Sequence, residues 1–438
     1  MTGSKESLQF NKFEIYDKDG KRSVDMRSGT PRVEYRESVL NPYVMINVSI
    51  IETGNSIDSE SGDGLVSVLD GLKLAGVNKV LFEIEDARGN KIKLTKDTDL
   101  RIADIQRVSQ SFKNVSYDLV IVSKEIYDNT LLDNRVRKKF DGKISNCVKT
   151  ILTRDLKTTK KIEVDETTNT YEKWGLDSLP FSKIVDLQLI SIPNISNALG
   201  KTAGYLFWET SEGYNFKSLD KMFDTTGKKI KRYILNQKVD RFNVPPSYDD
   251  KILYAKTQRT IKALDQFESG AFGTQIHIYD PVNKTYTKKK PFVPPKDGNG
   301  VIAGKELPQF PEYADKATVR HVVQKDIGQT FNSGDSIETQ VSKNQQEGVV
   351  MEEVVQQAMQ NFRQKFNMSA EIIIPADFSL HAGDLVYCDF PEISTKNTLK
   401  ETSKDSGIYM ISDLCHYGDK AVTYTGLHLV RDSFGIKR

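Results

Sequence analysis

LHAGDLVYCDFPE, residues 380–392, opens a run of strands that continues through GIYMISDLCHYGD (407–419) and TYTGLHLV (423–430). The alternation of apolar and polar residues is that of half-buried β-strands. A similar series occurs far earlier in the chain. Leu74-Ala75-Gly76 precedes VLFEIED much as Leu380-His381-Ala382-Gly383 precedes LVYCDFPE, with one residue inserted. Ile102-Ala103-Asp104-Ile105 then matches Ile411-Ser412-Asp413-Leu414, and each match is followed by a terminal strand, SYDLVIVS in the first copy and TYTGLHLV in the second. Barrels in general share glycine turns and alternating strands. Three matches in one order nevertheless point to duplication. Two similar barrels in each chain let three chains form a ring of six near-equivalent units, able to join a six-fold assembly to a three-fold one.

The flanking segments fill in the first copy. NPYVMINVSII reads as an early strand, with Ile46, Val48 and Ile50 alternating with Asn47 and Ser49. After the stretch TGNSIDSESGDG, VLFEIEDARGNKIKL reads as a hairpin whose Val80, Phe82 and Ile84 pair with Ile92 and Leu94. Its other face sets Glu83 and Glu85 opposite Lys91 and Lys93, and these lysines account for the carboxylates better than a catalytic pair does.

The period then changes. In LLDNRVRKKFDGKISNCVKTILTRDL, the spacing of Val136, Phe140, Ile144, Val148 and Ile151 predicts an amphipathic helix. KKIEVDE reads as a strand, PFSKIVDLQLISI as a helix, and AGYLFWETSEGYNFKSLDKMF as an aromatic hairpin turning at Ser211 to Gly213. YDDKILYAKTQRTIKALDQFESG reads as helical and GTQIHIYDPVNKTY as strand, broken at Asp280-Pro281. Residues 288–348 read as a polar, proline-stiffened arm containing KKKPFVPPK, only weakly like a nucleic-acid patch. VVMEEVVQQAMQNFRQKF reads as a helix with Met351, Val354, Val355, Ala358 and Phe362 on one stripe, and Tyr417-Gly418-Asp419 as a tight turn.

The fold class expected is therefore mainly β with an α+β middle region: two related tube-type β-barrels plus helical and inserted segments. The first barrel is placed at 1–125 and the middle domain at 126–229. The second barrel is split between 230–287 and 368–438, around a polar insertion and helix at 288–367.

Composition narrows the function. The 438 residues carry 62 Lys+Arg against 60 Asp+Glu, a net charge of +2, so no overall field draws the chain to nucleic acid or anionic lipid. No run approaches the roughly 20 apolar residues a membrane helix needs, and MTGSKESLQF lacks the features of a secretory leader. A soluble protein made in the cytosol is expected. Cys147, Cys388 and Cys415 are too few and too scattered for a disulfide framework.

Candidate chemistry is sparse. His381, Cys388, Cys415, His416 and His428 all lie in the final β region, but Cys415 and His416 are adjacent in a strand and point to opposite faces. Their spacing supplies neither a zinc site nor a Cys-His nucleophile pair. Gly200-Lys201-Thr202 resembles the end of a phosphate loop, yet Ile195 stands where the first glycine belongs. Trp174 and Trp208, with Tyr205, Phe207, Tyr214 and Phe216, read as core or interface in preference to a sugar platform. No catalytic, cofactor or metal residue is assigned. The competing readings are a hydrolase that cuts cell-wall polymer and a sugar-binding module.

Three segments carry a family resemblance: AGYLFWETSEGYNFKSLDKMF, ALDQFESGAFGTQIHIYDPVNKTY, and the closing series NMSAEIIIPADFSLHAGDLVYCDF, GIYMISDLCHYGD and TYTGLHLVRDSFG. In these the chain resembles the central baseplate hub proteins of contractile-tailed phages and the equivalent part of related injection machines. The resemblance implies a homotrimer in the virion baseplate whose paired barrels form a pseudo-six-fold ring. The tail tube would lie on one side and a trimeric central spike on the other. Baseplate wedge proteins would be further partners, DNA only passing cargo, with no cofactor and no membrane insertion. The arm at 288–348 is longer and more polar than a minimal member of that family would carry.

Overall fold

The computed structural model describes residues 8–54, 56–58, 64–95, 99–194, 202–235, 250–270, 273–280, 284–288, 303–308, 319–324, 336, 338–339, 354–391, 403–419 and 422–436.

The first barrel has six principal strands: β1 (Gln9–Tyr16), β2 (Arg32–Ser38), β3 (Met45–Glu52), β4 (Lys79–Glu85), β5 (Leu100–Gln110) and β6 (Val115–Ser123). Hydrogen bonds run round the ring in the order β1-β4-β5-β6-β3-β2. The chain leading into β2 closes it: Ser23–Asp25 pairs with β1, and the Gly29 carbonyl then accepts the Ile51 N–H of β3 at 2.8 Å. The hairpin partner of β4, Lys91–Leu94, sets Phe82 opposite Leu94, Ile84 opposite Ile92, Glu83 opposite Lys93 and Glu85 opposite Lys91, the register read from the sequence.

A middle region follows. Its hairpin, β7 (Tyr205–Thr210) with β8 (Gly213–Ser218), packs on the helices Ile144–Thr150 and Pro180–Ile190 through Phe181, Phe207, Tyr214 and Phe216. The amphipathic helix is shorter than its periodicity predicts. Val136 and Phe140 are extended, their N–H groups donating to Ser178 and Lys173 carbonyls, because Gly142 at φ +128° cannot belong to a right-handed helix. All five apolar positions still reach one core.

The second barrel repeats the first: β9 (Lys231–Leu235), β10 (Tyr254–Ile261), β11 (Met368–Pro375), β12 (Leu385–Asp389), β13 (Gly407–Asp419) and β14 (Thr423–Arg431). The ring order is β9-β12-β13-β14-β11-β10, the order of the first barrel strand for strand. Closure is also repeated, since Lys251–Ile252 pairs with β9 and the Leu253 N–H donates to Ile373 of β11 at 2.8 Å. Only the first strand differs in polarity, β1 being antiparallel to β4 and β9 parallel to β12.

The matched tetrapeptides occupy the same place in each ring. The β5–β6 ladder skips Ala103 and the β13–β14 ladder skips Ser412, so each copy has a bulge inside its Ile-x-Asp motif. The Ile102 carbonyl accepts from Val77 and the Ile411 carbonyl from Gly383, with both donors at positive φ. In-register structure therefore aligns Val77, one residue beyond Gly76, with Gly383. Counting on, Val80, Phe82 and Ile84 superpose on Val386, Cys388 and Phe390, all six fully buried.

Elsewhere the structure differs from the sequence reading. Residues 254–261 are strand, and only Ala263–Ser269 is helix; the ladder with β11 outweighs a 3.6-residue pattern too short to nucleate alone. Where a turn is expected at Tyr417-Gly418-Asp419, strand β13 runs straight through, with Gly418 paired to Thr423 of β14. Thr274–Asp280, Thr285–Lys288 and Val319–Gln324 make a separate three-stranded sheet, which puts a strand in the arm. The late helix covers residues 354–365; Met351, Asp280's proline neighbour Pro281 and most of KKKPFVPPK lie outside the described residues. No helix among the described residues is long and apolar enough to cross a membrane.

Phe82 meets Phe13 edge to face at a centroid distance of 5.8 Å with no exposed surface. Phe82→Ala is expected to lower stability by about 3–5 kcal/mol, the cost of a large core cavity, measured by guanidinium unfolding.

Candidate functional site: the seam between the barrels

The two barrels share a sheet. Beyond its pairing with β12, β13 continues as an antiparallel partner of β2, from Asp413 opposite Ser38 to Asp419 opposite Arg32. The backbone groups of both strands are thereby satisfied across a domain boundary. On the inward face, His416 stacks on Tyr35 and packs against Phe378, and its Nδ1 lies 2.8 Å from Thr425 Oγ1. Burial lowers the His416 pKa to about 4, so the ring is a neutral part of the core.

A second tie joins the turn after β4 to the loop after β11. The Phe378 N–H donates to Asp86, and Asp377 receives Arg88 at 3.2 Å and Lys231 at 2.6 Å. Burial alone would raise the Asp377 pKa, but Lys231, Ser379 and Arg88 outweigh it and hold it low.

The tip of the middle hairpin closes the joint from one side. Glu37, fully buried at the end of β2, accepts from Tyr35 Oη at 2.7 Å, the Ser211 N–H at 2.9 Å and the Ala382 N–H at 2.9 Å, with His381 Nδ1 at 3.1 Å. One carboxylate thus binds the first barrel, the middle region and the second barrel. Burial would raise its pKa, but the His381 charge and these donors keep it low. Burial likewise pushes His381 down, while Glu37 prevails and lifts it to about 9, an imidazolium facing a carboxylate.

Two residues before Ser211, Glu209 accepts from the Val44 N–H at 3.1 Å and Ser123 Oγ at 2.6 Å, both of the first barrel. Lys160 reaches Glu209 and Glu125 at 2.6 Å each, with its side chain 2% exposed. Burial lowers the Lys160 pKa, but the two carboxylates overcome it and raise it, so the cation persists. Trp208, next to Glu209 in β7, donates from Nε1 to the Ala382 carbonyl at 2.9 Å. Gly383, at φ +92°, leaves the ring its room, since an added Cβ would sit 2.5 Å from Trp208 Cζ2.

The sequence candidates are dispersed around this joint. His381 serves Glu37, His416 fills the seam, and Cys388 lies in the second barrel's core. Cys415 and His428 line an outward cleft of about 660 Å³ beside the seam, so Cys415 and His416 do face opposite sides. His428 Nδ1 meets both Ser412 Oγ at 2.6 Å and Asp413 at 3.2 Å. With both on one nitrogen, that trio is no relay for activating a nucleophile. Glu83 and Glu85 sit against Lys91 and Asn11. Tyr205, Phe207, Trp208, Tyr214 and Phe216 are buried, and Trp174 is 45% exposed. Ile195, Gly200 and Lys201 lie outside the described residues, which contain no group of three or more His, Cys, Asp or Glu placed to hold a metal ion.

No protein-family model and no curated protein matches this chain. Solved structures do. A tail protein from Neisseria meningitidis superposes with a TM-score of 0.50 at 8% identity, over 97% of each chain. The fold is that of a tail protein. A prophage tail protein of 43 kDa from Shewanella oneidensis follows at TM-score 0.49 and 8% identity, covering 96% of this chain and 98% of its own. A prophage tail protein from Listeria monocytogenes gives TM-score 0.48 and 8% identity, over 97% and 95%. The matched fold spans 97% of this chain, the barrels and the middle region included.

Lys160→Met leaves Glu125 and Glu209 buried without their shared cation and is expected to cost about 3–5 kcal/mol; an unchanged urea midpoint would show the cation to be dispensable. For His381, the folded pKa stands above the unfolded value of about 6.5, so its stabilisation is complete below that pH and fades as pH rises through about 9. Unfolding of wild type and His381→Gln at about pH 6 and about pH 9.5 should show the wild-type advantage at the lower pH only.

Proposed function

We propose that this chain is a structural subunit at the centre of a phage-type tail baseplate. Three copies form a ring of six near-equivalent barrels that seats a six-fold tail tube on one side and a three-fold spike on the other. The observation carrying this reading is the doubled ring: two closed barrels of identical strand order, joined edge to edge within one chain. A threefold object built from doubled units offers six similar surfaces to one neighbour and three distinct ones to another.

The joint fits the role. A ring that keeps its diameter through contraction needs a fixed angle between its barrels, and Glu37, Glu209 and Trp208 tie three bodies with buried hydrogen bonds. Such a subunit works through interfaces and needs no catalytic centre. Its partners are further copies of itself, the tube, spike and wedge proteins, and its place is the virion tail, assembled in the host cytoplasm. DNA passes through the ring as cargo, and the balanced charge of +2 suits a conduit that does not grip it.

Cryo-electron microscopy of tails containing this protein is expected to show three copies on the axis, between tube and spike. Six copies, or a position off the axis, would sink the proposal.

A further inference from the structure

The matching of the two barrels extends to their edges, and there the copies part. In the second barrel, the edge of β13 from Asp413 to Asp419 is covered by β2, and Leu414, His416 and Gly418 are buried. In the first barrel the same edge is β5 from Asp104 to Gln110. It pairs with β6 on one side, and no strand among the described residues pairs with the other. Six of those seven residues are exposed, with Val108 at 53%. The counterpart of β2 is β10, and it too pairs on one side only, with β11, its other edge being bare among the described residues. Tyr254 at its start is 47% exposed. A long bare strand edge is a template for another strand. Here one chain carries both halves of a ladder that it makes internally once.

We infer that β5 of one chain pairs antiparallel with β10 of a second copy, repeating between chains the β13–β2 ladder found within one. This rests on the ring proposed above and names the surfaces that would close it. The register follows from the matched bulges. Asp104 and Asp413 stand at the same place beside them, so Gln106 is the counterpart of Cys415. Thr260 lies opposite Ser369 as Arg36 lies opposite Met45, which makes Thr260 the counterpart of Arg36. Cys415 faces Arg36 inside the chain, so Gln106 faces Thr260 of the neighbour. Beyond Gln106 the copies diverge, because Arg107 at φ +53° makes a bulge absent from β13 and pairs with Asp118 on β6. A twisted edge accepts fewer strands. The contact is thereby restricted to a partner of matching irregularity, and β10 carries two register shifts of its own.

The test is disulfide trapping in the full chain. Gln106→Cys and Thr260→Cys are combined with Cys415→Ser, and each single cysteine variant serves as control. Mild oxidation followed by non-reducing electrophoresis is expected to give a ladder ending at three chains for the pair and no ladder for either single variant. Native mass spectrometry of the unmodified protein runs alongside. A native trimer whose cysteine pair gives no covalent ladder overturns the β5–β10 contact and leaves the ring reading standing. A protein that remains monomeric at high concentration and gives no ladder overturns both.

Discussion

The ladder between β2 and β13 is the constraint on which the rest of this molecule depends. Separate barrels on a tether would take any mutual angle. Strands of different barrels sharing backbone hydrogen bonds must follow the twist and spacing of a single sheet, and a one-residue slip would turn every inward side chain outward. Tyr35 and His416 make such a slip costly, since both are buried in the seam and stacked on each other. The buried carboxylates act on the same geometry. Glu37 and Glu209 are affordable in the interior only while every donor is in place, so the middle hairpin can dock in one way.

Much of the barrel architecture was legible because its residues obey a period of two. The hairpin at 80–94, the strand at 45–52 and the two Ile-x-Asp motifs all alternate cleanly, and the motifs even mark the bulges. Other strands were hidden by their composition. β2, PRVEYRES in sequence, sets charges at Arg32, Glu34 and Arg36, and its inward row ends on Glu37, an acid where a strand reading looks for an apolar residue. The row Val33, Tyr35, Glu37 was the available signal. The sequence of β10 reads as helix because YAKTQRTIKAL fits both periods, and only the distant partner β11 decides between them.

The joint was less legible than the fold. Glu209 lies inside an aromatic run that reads as core or interface and is buried, while its own role leaves no sequence signal: its partners Val44, Ser123 and Lys160 come from three other segments. Charges that satisfy one another across long sequence separations leave no local pattern. His381 is similar, since its partner Glu37 precedes it by most of the chain.

The opposite polarity of β1 and β9 has a consequence for how such a chain can be lengthened. Parallel and antiparallel ladders both satisfy the backbone, so the opening strand of a barrel can enter from either end without leaving the ring short of hydrogen bonds. In this molecule the whole middle region is spliced in just ahead of that strand. The same position is where new modules could be grafted onto either half while the enclosed cores remain as they are.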